Sequence, residues 1–254
     1  MDSMARLSTE RFSDRVENYI RYRPGYPMEI VPLLAEKASL GPASVIADIG
    51  SGTGISAEMF LREGYRVVGV EPNLPMRGAA ERLLAAYPAF QSIDGSAQAT
   101  TLADGSVDLI IAAQAFHWFA NQETRAEFSR ILKPDGLIAL IWNVRLVDTT
   151  PFLRDYEALL LRFGTDYDTV RHETIDARVL GAFFTVSYDL QTFPNQQVFD
   201  YDGLEGRLLS SSYAPAAGHA DHLPMLAELR RIFDLHQIDG KVSIDYITEV
   251  YLGR

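Results

Sequence analysis

The chain has 254 residues, and its 34 acidic residues outnumber 23 lysines and arginines, for a formal net charge of −11. Cysteine is absent, which excludes disulfides, thiolate metal sites and a cysteine nucleophile. The acidic balance disfavours nucleic acid as a partner. The apolar runs are too short to span a bilayer, and the first residues lack the apolar stretch of a signal peptide. We therefore expect no membrane partner and a cytoplasmic location.

Short apolar runs alternate with amphipathic segments from about residue 45 to residue 143, as is typical of βαβ units on a parallel sheet. A Pro/Tyr-rich segment at 22–27 and a predicted helix at 29–38 precede them. Apolar stripes at helical spacing separate the runs, and the first predicts a helix at 55–63. The apolar runs predict strands at 45–49, 66–70, 90–94, 107–113 and 137–142.

The last hundred residues have a different pattern. Apolar residues at helical spacing predict helices over 152–163 and 223–236, and alternation predicts strands over 184–190 and 242–252. No linker or repeat separates these parts, so we predict one α/β domain with a C-terminal elaboration.

Glycines cluster where the first predicted strand meets the next helix, in the string D-I-G-S-G-T-G at 48–54. Such a turn lets a nucleotide-like ligand approach the backbone closely. The overlapping string G-T-G-I-S-A at 52–57 also matches the dinucleotide fingerprint G-x-G-x-x-G/A. The turn therefore leaves two ligands open, a nicotinamide dinucleotide and S-adenosylmethionine.

Asp48 separates the two ligands by charge. A dinucleotide places its pyrophosphate at the helix N-terminus, where a neighbouring carboxylate would repel it. S-adenosylmethionine has no phosphate and carries an ammonium and a sulfonium, which a carboxylate attracts. Asp48 therefore favours the sulfonium ligand.

These residues resemble the class I S-adenosylmethionine-dependent methyltransferases. The first motif of that family is an acid followed by G-x-G-x-G, and the acid that ends its second strand, which binds the ribose hydroxyls, corresponds to Glu71. Three further strings resemble a bacterial subgroup of the type 11 methyltransferases, at 21–27, 113–119 and 210–215.

The resemblance implies a doubly wound, mostly parallel, seven-stranded Rossmann-like sheet within a single domain, 1–254. Residues 1–40 would form an N-terminal helical lid and residues 41–147 the cofactor-binding core. Residues 148–254 would complete the sheet and supply an insert, at about 194–241, that roofs the site on the substrate side.

The resemblance also implies the cofactor site. The backbone at 113–114 would receive the methionine ammonium, and the segment at 19–23 would fold over the cofactor with an arginine on its carboxylate. Where the family has Gly-Asp-Ala at the adenine, this chain has Gly-Ser-Ala at 95–97, so Ser96 is expected there ahead of Asp94. The predicted cofactor-binding residues are Tyr19, Arg23, Asp48, Gly50, Ser51, Gly52, Gly54, Glu71, Pro72, Met76, Ser96, Ala97 and Gln114.

Methyl transfer from a sulfonium needs a general base only when the acceptor carries a proton to be lost. His117 is the candidate catalytic base, because it follows a central strand and histidine titrates near neutrality; a binding contact or a structural role are its alternatives. Trp118, with Phe116, would form an aromatic wall or belong to the core. Arg145 would hold a substrate carboxylate. The predicted substrate-binding residues are Tyr26, Trp118, Asn143 and Arg145.

The histidines show no metal-ligand spacing, so we expect no metal. The sequence thus predicts a methyltransferase that uses S-adenosyl-L-methionine to methylate an oxygen or nitrogen of a small molecule, a carboxylic acid being one candidate. An NAD-dependent oxidoreductase and a non-catalytic S-adenosylmethionine-binding module stay open as alternatives.

Overall fold

The computed structural model describes residues 20–167, 177–184 and 186–254. Its strands are β1 (Val45–Ile49), β2 (Arg66–Val70), β3 (Phe90–Ile93), β4 (Val107–Ala113), β5 (Leu132–Arg145), β6 (Asp189–Phe199) and β7 (Val242–Gly253). They form one sheet in the order β3-β2-β1-β4-β5-β7-β6. Strands β1 to β5 run parallel, and β7 runs antiparallel to both β5 and β6. The predicted α/β class and the mostly parallel seven-stranded sheet are confirmed.

The helices pack around this sheet. They are α1 (Ile30–Lys37), α2 (Ile55–Arg62), α3 (Leu74–Leu83), α4 (Gln122–Ile131), α5 (Pro151–Phe163), α6 (Ala177–Phe183), α7 (Tyr201–Leu209) and α8 (His222–His236). A 3₁₀ turn (Phe116–Trp118) follows β4. None of the helices in the described ranges combines the length and apolar character that crossing a bilayer requires.

Successive residues of a strand point to opposite faces, and β1 shows how this divides the core. Ile46 packs into the cluster that contains Phe60 of α2, whereas Ala47 and Ile49 pack into the cluster on the other face, around Phe128. Both faces of the central strands are therefore covered, which explains their continuous apolar runs. A third cluster joins α5, α7 and α8 to β7.

The predicted strand at 184–190 is wrong. Phe184 is buried in the core instead, and the strand in this region is β6, Asp189–Phe199. This strand forms the sheet edge and is only partly buried, so polar residues occupy most of its length. The segment predicted as an insert, 194–241, contains the end of β6 and the helices α7 and α8.

Candidate functional site

A cavity of about 520 Å³ lies at the carboxyl ends of the parallel strands. It opens beside β1 and β4, where the strand order reverses and where open α/β sheets bind ligands. Tyr19 lies outside the described residues. Of the other predicted site residues, those on the cavity wall are Arg23, Tyr26, Gly50, Ser51, Gly52, Glu71, Pro72, Met76, Ser96, Ala97, Gln114, His117, Trp118, Asn143 and Arg145.

The glycines of the turn share a left-handed backbone conformation but have different surroundings. All have positive φ, at 70° for Gly50, 55° for Gly52 and 87° for Gly54. A Cβ on Gly54 would lie 2.6 Å from Leu84 Cδ1, so this glycine permits close packing of the helix and does not face the cavity. A Cβ on Gly52 would meet only the end of Met76, at 3.5 Å. Gly52 therefore leaves space open on the cavity side.

Glu71 connects the glycine turn to the cavity. Its Oε2 accepts a hydrogen bond from the Gly52 amide at 2.9 Å, and its Oε1 accepts one from the Asn73 amide at 2.8 Å. Burial raises the pKa of Glu71, and the two backbone donors oppose that rise. The carboxylate thus fixes the turn, and it can also accept hydrogen bonds from hydroxyl groups of a bound ligand.

Asp48 lies behind the turn and is not part of the cavity wall. Strand alternation directs it to the Ile46 face, under α2, where its Oδ2 accepts a hydrogen bond from Ser56 Oγ at 2.6 Å. Oδ1 makes no hydrogen bond within the described residues. Burial raises the pKa of Asp48 to about 7. Asp48 therefore does not border the cavity, and its raised pKa weakens the preference for a cationic ligand that the sequence indicated.

The structure separates the two candidates for the adenine contact. Ser96 and Ala97 line the cavity. Asp94 is 72% exposed and forms an ion pair with Arg77 at 3.0 Å, away from the cavity. Of the two, Ser96 is therefore the residue placed to contact a ligand.

The aromatic string after β4 divides between core and cavity. Phe116 is fully buried, with its ring centroid 4.4 Å from that of Phe183, so it belongs to the core. Trp118 is 39% exposed and lines the cavity. His117 also lines the cavity, and burial lowers its pKa to about 4. The imidazole is therefore neutral at pH 7, which is the form that can accept a proton.

Known proteins are similar to this chain in sequence. A family model described as a methyltransferase domain, of type 11, matches residues 47–140. A methyltransferase-like protein of Schizosaccharomyces pombe is 33% identical over 63% of this chain, and a methyltransferase of Mycobacterium bovis is 36% identical over 63%. Residues 47–140 thus match the domain of the type 11 class I S-adenosylmethionine-dependent methyltransferases. The matches take in 61% of the length of each of these two relatives.

Solved structures agree with this assignment at the level of the fold. A candidate type II methyltransferase from Anaeromyxobacter dehalogenans superimposes with a TM-score of 0.68 at 21% identity, covering 92% of this chain and 98% of that one. Phosphoethanolamine N-methyltransferase 2 of Haemonchus contortus, solved with S-adenosyl-L-methionine, gives 0.57 at 12% identity over 98% of this chain and 58% of that one.

The segment at 20–27, called the covering segment below, lies over the carboxyl edge of the sheet and is held there by hydrogen bonds. The Gly25 carbonyl accepts hydrogen bonds from Asn143 Nδ2 at 3.0 Å and from Asn195 Nδ2 at 2.9 Å. Arg23 Nη2 donates to the Ser210 carbonyl at 3.2 Å. The Asn143 side chain therefore holds this segment in place, and its Oδ1 is also occupied, by Thr248 Oγ1 at 2.6 Å.

Arg145 reaches the cavity but already has an anionic partner. Its Nη2 pairs with the Glu157 carboxylate and donates to the Tyr167 hydroxyl at 2.7 Å. Its guanidinium also lies 5.3 Å from the centroid of the Tyr156 ring. Its positive charge is thus balanced within the protein, which the sequence did not indicate.

The far end of the cavity is formed by residues of the C-terminal half: Tyr167, Arg207, Ser212, Tyr213 and Tyr246. Ser212 and Tyr213 belong to the string at 210–215 on which the resemblance rests, whereas Tyr167, Arg207 and Tyr246 match no motif and were not predicted. The one available signal was Arg207, because it lies between Leu204 and Leu208 on the apolar stripe of α7. Within the described ranges, no three histidine, aspartate or glutamate side chains converge as metal ligands would.

Proposed function

We propose that this protein transfers the methyl group of S-adenosylmethionine to an oxygen or nitrogen of a small molecule, with both held in the cavity at the carboxyl edge. The observation that carries the proposal is the joint geometry of the glycine turn and Glu71. The carboxylate binds the Gly52 amide and lines the cavity, in a family whose cofactor has two hydroxyls to be bound at this position.

The residues present fit the cofactor along the cavity. In the proposal, Glu71 accepts from the ribose hydroxyls and Ser96 lies at the adenine. The methionine part lies against Gly50 and the backbone at Gln114, whose positive φ of 54° turns the chain at the end of β4. Asp48 supports the N-terminal turn of α2 from behind the glycine turn, through its hydrogen bond with Ser56.

When bound, the cofactor supplies a methyl group on a sulfonium, which is a good leaving group. The protein therefore has to hold the acceptor close and in line, and to exclude water. The segment tied down at Gly25 covers the edge of the cavity and serves that exclusion. In the proposal, His117 is the candidate base for an amine or hydroxyl acceptor, but burial lowers its pKa to about 4 and so makes it a weak base. A carboxylate acceptor needs no base.

A calorimetric titration with S-adenosylhomocysteine tests the proposal. We expect saturable binding and a rise in melting temperature through mass action, with no binding of NADH in a fluorescence titration. The reverse pattern would support the oxidoreductase alternative. Labelled S-adenosylmethionine with a panel of small acids, amines and phenols then tests turnover. Tight cofactor binding without any product would favour the non-catalytic module. The predicted cytoplasmic location and absence of a nucleic-acid partner stay predictions.

A further inference from the structure

Helix α7 carries a second arginine to the cavity, at the end away from the glycine turn. Arg207 is 6% exposed and lines the cavity. Its Nε donates to the Tyr246 hydroxyl at 3.4 Å, and its Nη1 donates to Ser211 Oγ at 3.1 Å. Its Nη2 makes no hydrogen bond with any residue that the structure describes. The guanidinium is therefore held in one orientation with donor capacity to spare.

Arg207 differs from Arg145 in its charge balance. Arg145 pairs with Glu157, but Arg207 forms no ion pair within residues 20–167, 177–184 and 186–254. Burial disfavours its charged form, whereas the hydroxyls of Tyr246, Tyr213 and Tyr156 favour it and hold the pKa of the guanidinium above its usual value. A buried charge without a counter-ion lowers the stability of the folded protein. An anionic ligand bound at Arg207 would compensate that charge.

The position of Arg207 distinguishes it from the proposed cofactor contacts. Its partner Tyr246 lies on β7, opposite Arg145 of β5. Strands β4 and β5 separate β7 from β1, which is a distance of about 14 Å at ordinary strand spacing. The arginine is therefore at the acceptor side of the cavity.

We propose that Arg207 binds the anionic group of the methyl acceptor, so that the substrate is a small molecule with a carboxylate or another compact oxyanion. The inference rests on the proposed function and adds the substrate class. The planar fork of arginine matches an oxyanion, and Tyr246 and Ser211 fix that fork before binding. Gly206 couples the same helix to the covering segment, because a Cβ there would lie 2.2 Å from the Tyr22 ring.

Anion titration into the protein saturated with S-adenosylhomocysteine tests this inference. The probes are succinate, its neutral analogue succinamide, and inorganic phosphate. We expect at least one of the two anions to bind and succinamide not to bind, and the anion that binds identifies the oxyanion as carboxylate or phosphate. Arg207→Met should weaken that binding by about 10- to 100-fold. Arg231→Met, which removes an exposed arginine paired with Glu228, should leave it unchanged.

The same variants separate this inference from the proposed function. Arg207→Met should keep the affinity for S-adenosylhomocysteine and a cooperative thermal transition, because removal of the unpaired buried charge offsets the loss of the hydrogen bonds to Tyr246 and Ser211. Arg207→Lys keeps the charge without the fork and should bind anions with intermediate affinity. Equal anion binding by wild type and Arg207→Met, or no anion binding at about 10 mM, would overturn the inference. Loss of S-adenosylhomocysteine affinity in Arg207→Met alone would assign the arginine to the cofactor instead. Failure of the wild type to bind S-adenosylhomocysteine would overturn the proposed function, and the anion titrations without it would still decide the role of Arg207.

Discussion

Gly52 offers the sharpest test of where the cofactor lies, because its open side faces the cavity. We predict that Gly52→Val blocks cofactor binding and leaves the protein folded. A valine at a φ of 55° costs about 1–3 kcal/mol of strain. At about 2–4 °C per kcal/mol for a chain of this size, the melting temperature should fall by about 2–12 °C. The affinity for S-adenosylhomocysteine should fall by about 100-fold or more, which corresponds to a steric penalty of about 3 kcal/mol.

Gly64→Val is the matched control. Gly64 has a φ of 84°, and a Cβ there would meet nothing within 4 Å. The two variants should therefore lose similar melting temperatures in a thermal scan, and only Gly52→Val should lose binding in calorimetry. Normal binding of S-adenosylhomocysteine by Gly52→Val would refute the placement of the cofactor at the turn.

Three further outcomes follow from the hydrogen bonds and pKa values of the site. Glu71→Gln replaces one acceptor oxygen of the Gly52 and Asn73 amides with a donor, so urea unfolding should show a loss of about 1–3 kcal/mol and calorimetry a weaker cofactor complex; unchanged binding would contradict the role of the carboxylate. Asn143→Leu should release the covering segment, measured as faster proteolysis near residue 25, whereas an unchanged rate would place its anchor elsewhere. Because the pKa of His117 is about 4, a pH–rate profile should show no step from this residue near pH 6.5.

The central strands could be predicted from the sequence, because burial on both faces of the sheet requires a continuous apolar run in each of them. The observed bounds of β1, β2 and β4 equal the predicted ones. The edge strand β6 was not predicted, because much of it is exposed to solvent and its residues are mostly polar. Asn195 and Gln197, for example, donate hydrogen bonds to the covering segment and do not pack into the core. The pattern of β6 therefore reflects tertiary contacts that the sequence does not display.

The site likewise contains residues that local sequence patterns predict and residues that depend on tertiary contacts. The glycine turn and Glu71 were predictable because one βαβ unit fixes their spacing of about 20 residues. Arg207 was not predictable, because it lines the cavity only through the packing of α7 against α5, α8 and β7. The pairing of Arg145 with Glu157 was also hidden, since it joins the end of β5 to the middle of α5. Neither spacing nor residue type predicts such a neighbour.

Asp48 provides a last test, on the coupling of stability, pH and cofactor charge. Burial raises its pKa from 3.8 to about 7, which corresponds to about 4 kcal/mol. Between these values the unfolded chain holds fewer protons at this site than the folded one, so its contribution lowers stability as pH rises from about 4 to about 7, and levels off above.

Asp48→Asn removes this titration while keeping an acceptor oxygen for Ser56 Oγ. Urea unfolding at about pH 5 and about pH 8 should therefore show a smaller pH difference in the variant than in the wild type. If the carboxylate also attracts the cofactor through the turn, cationic S-adenosylmethionine should lose more affinity in Asp48→Asn than S-adenosylhomocysteine, which lacks the sulfonium. Equal losses for the two ligands would show that Asp48 supports the turn and α2 without contributing charge to the cavity.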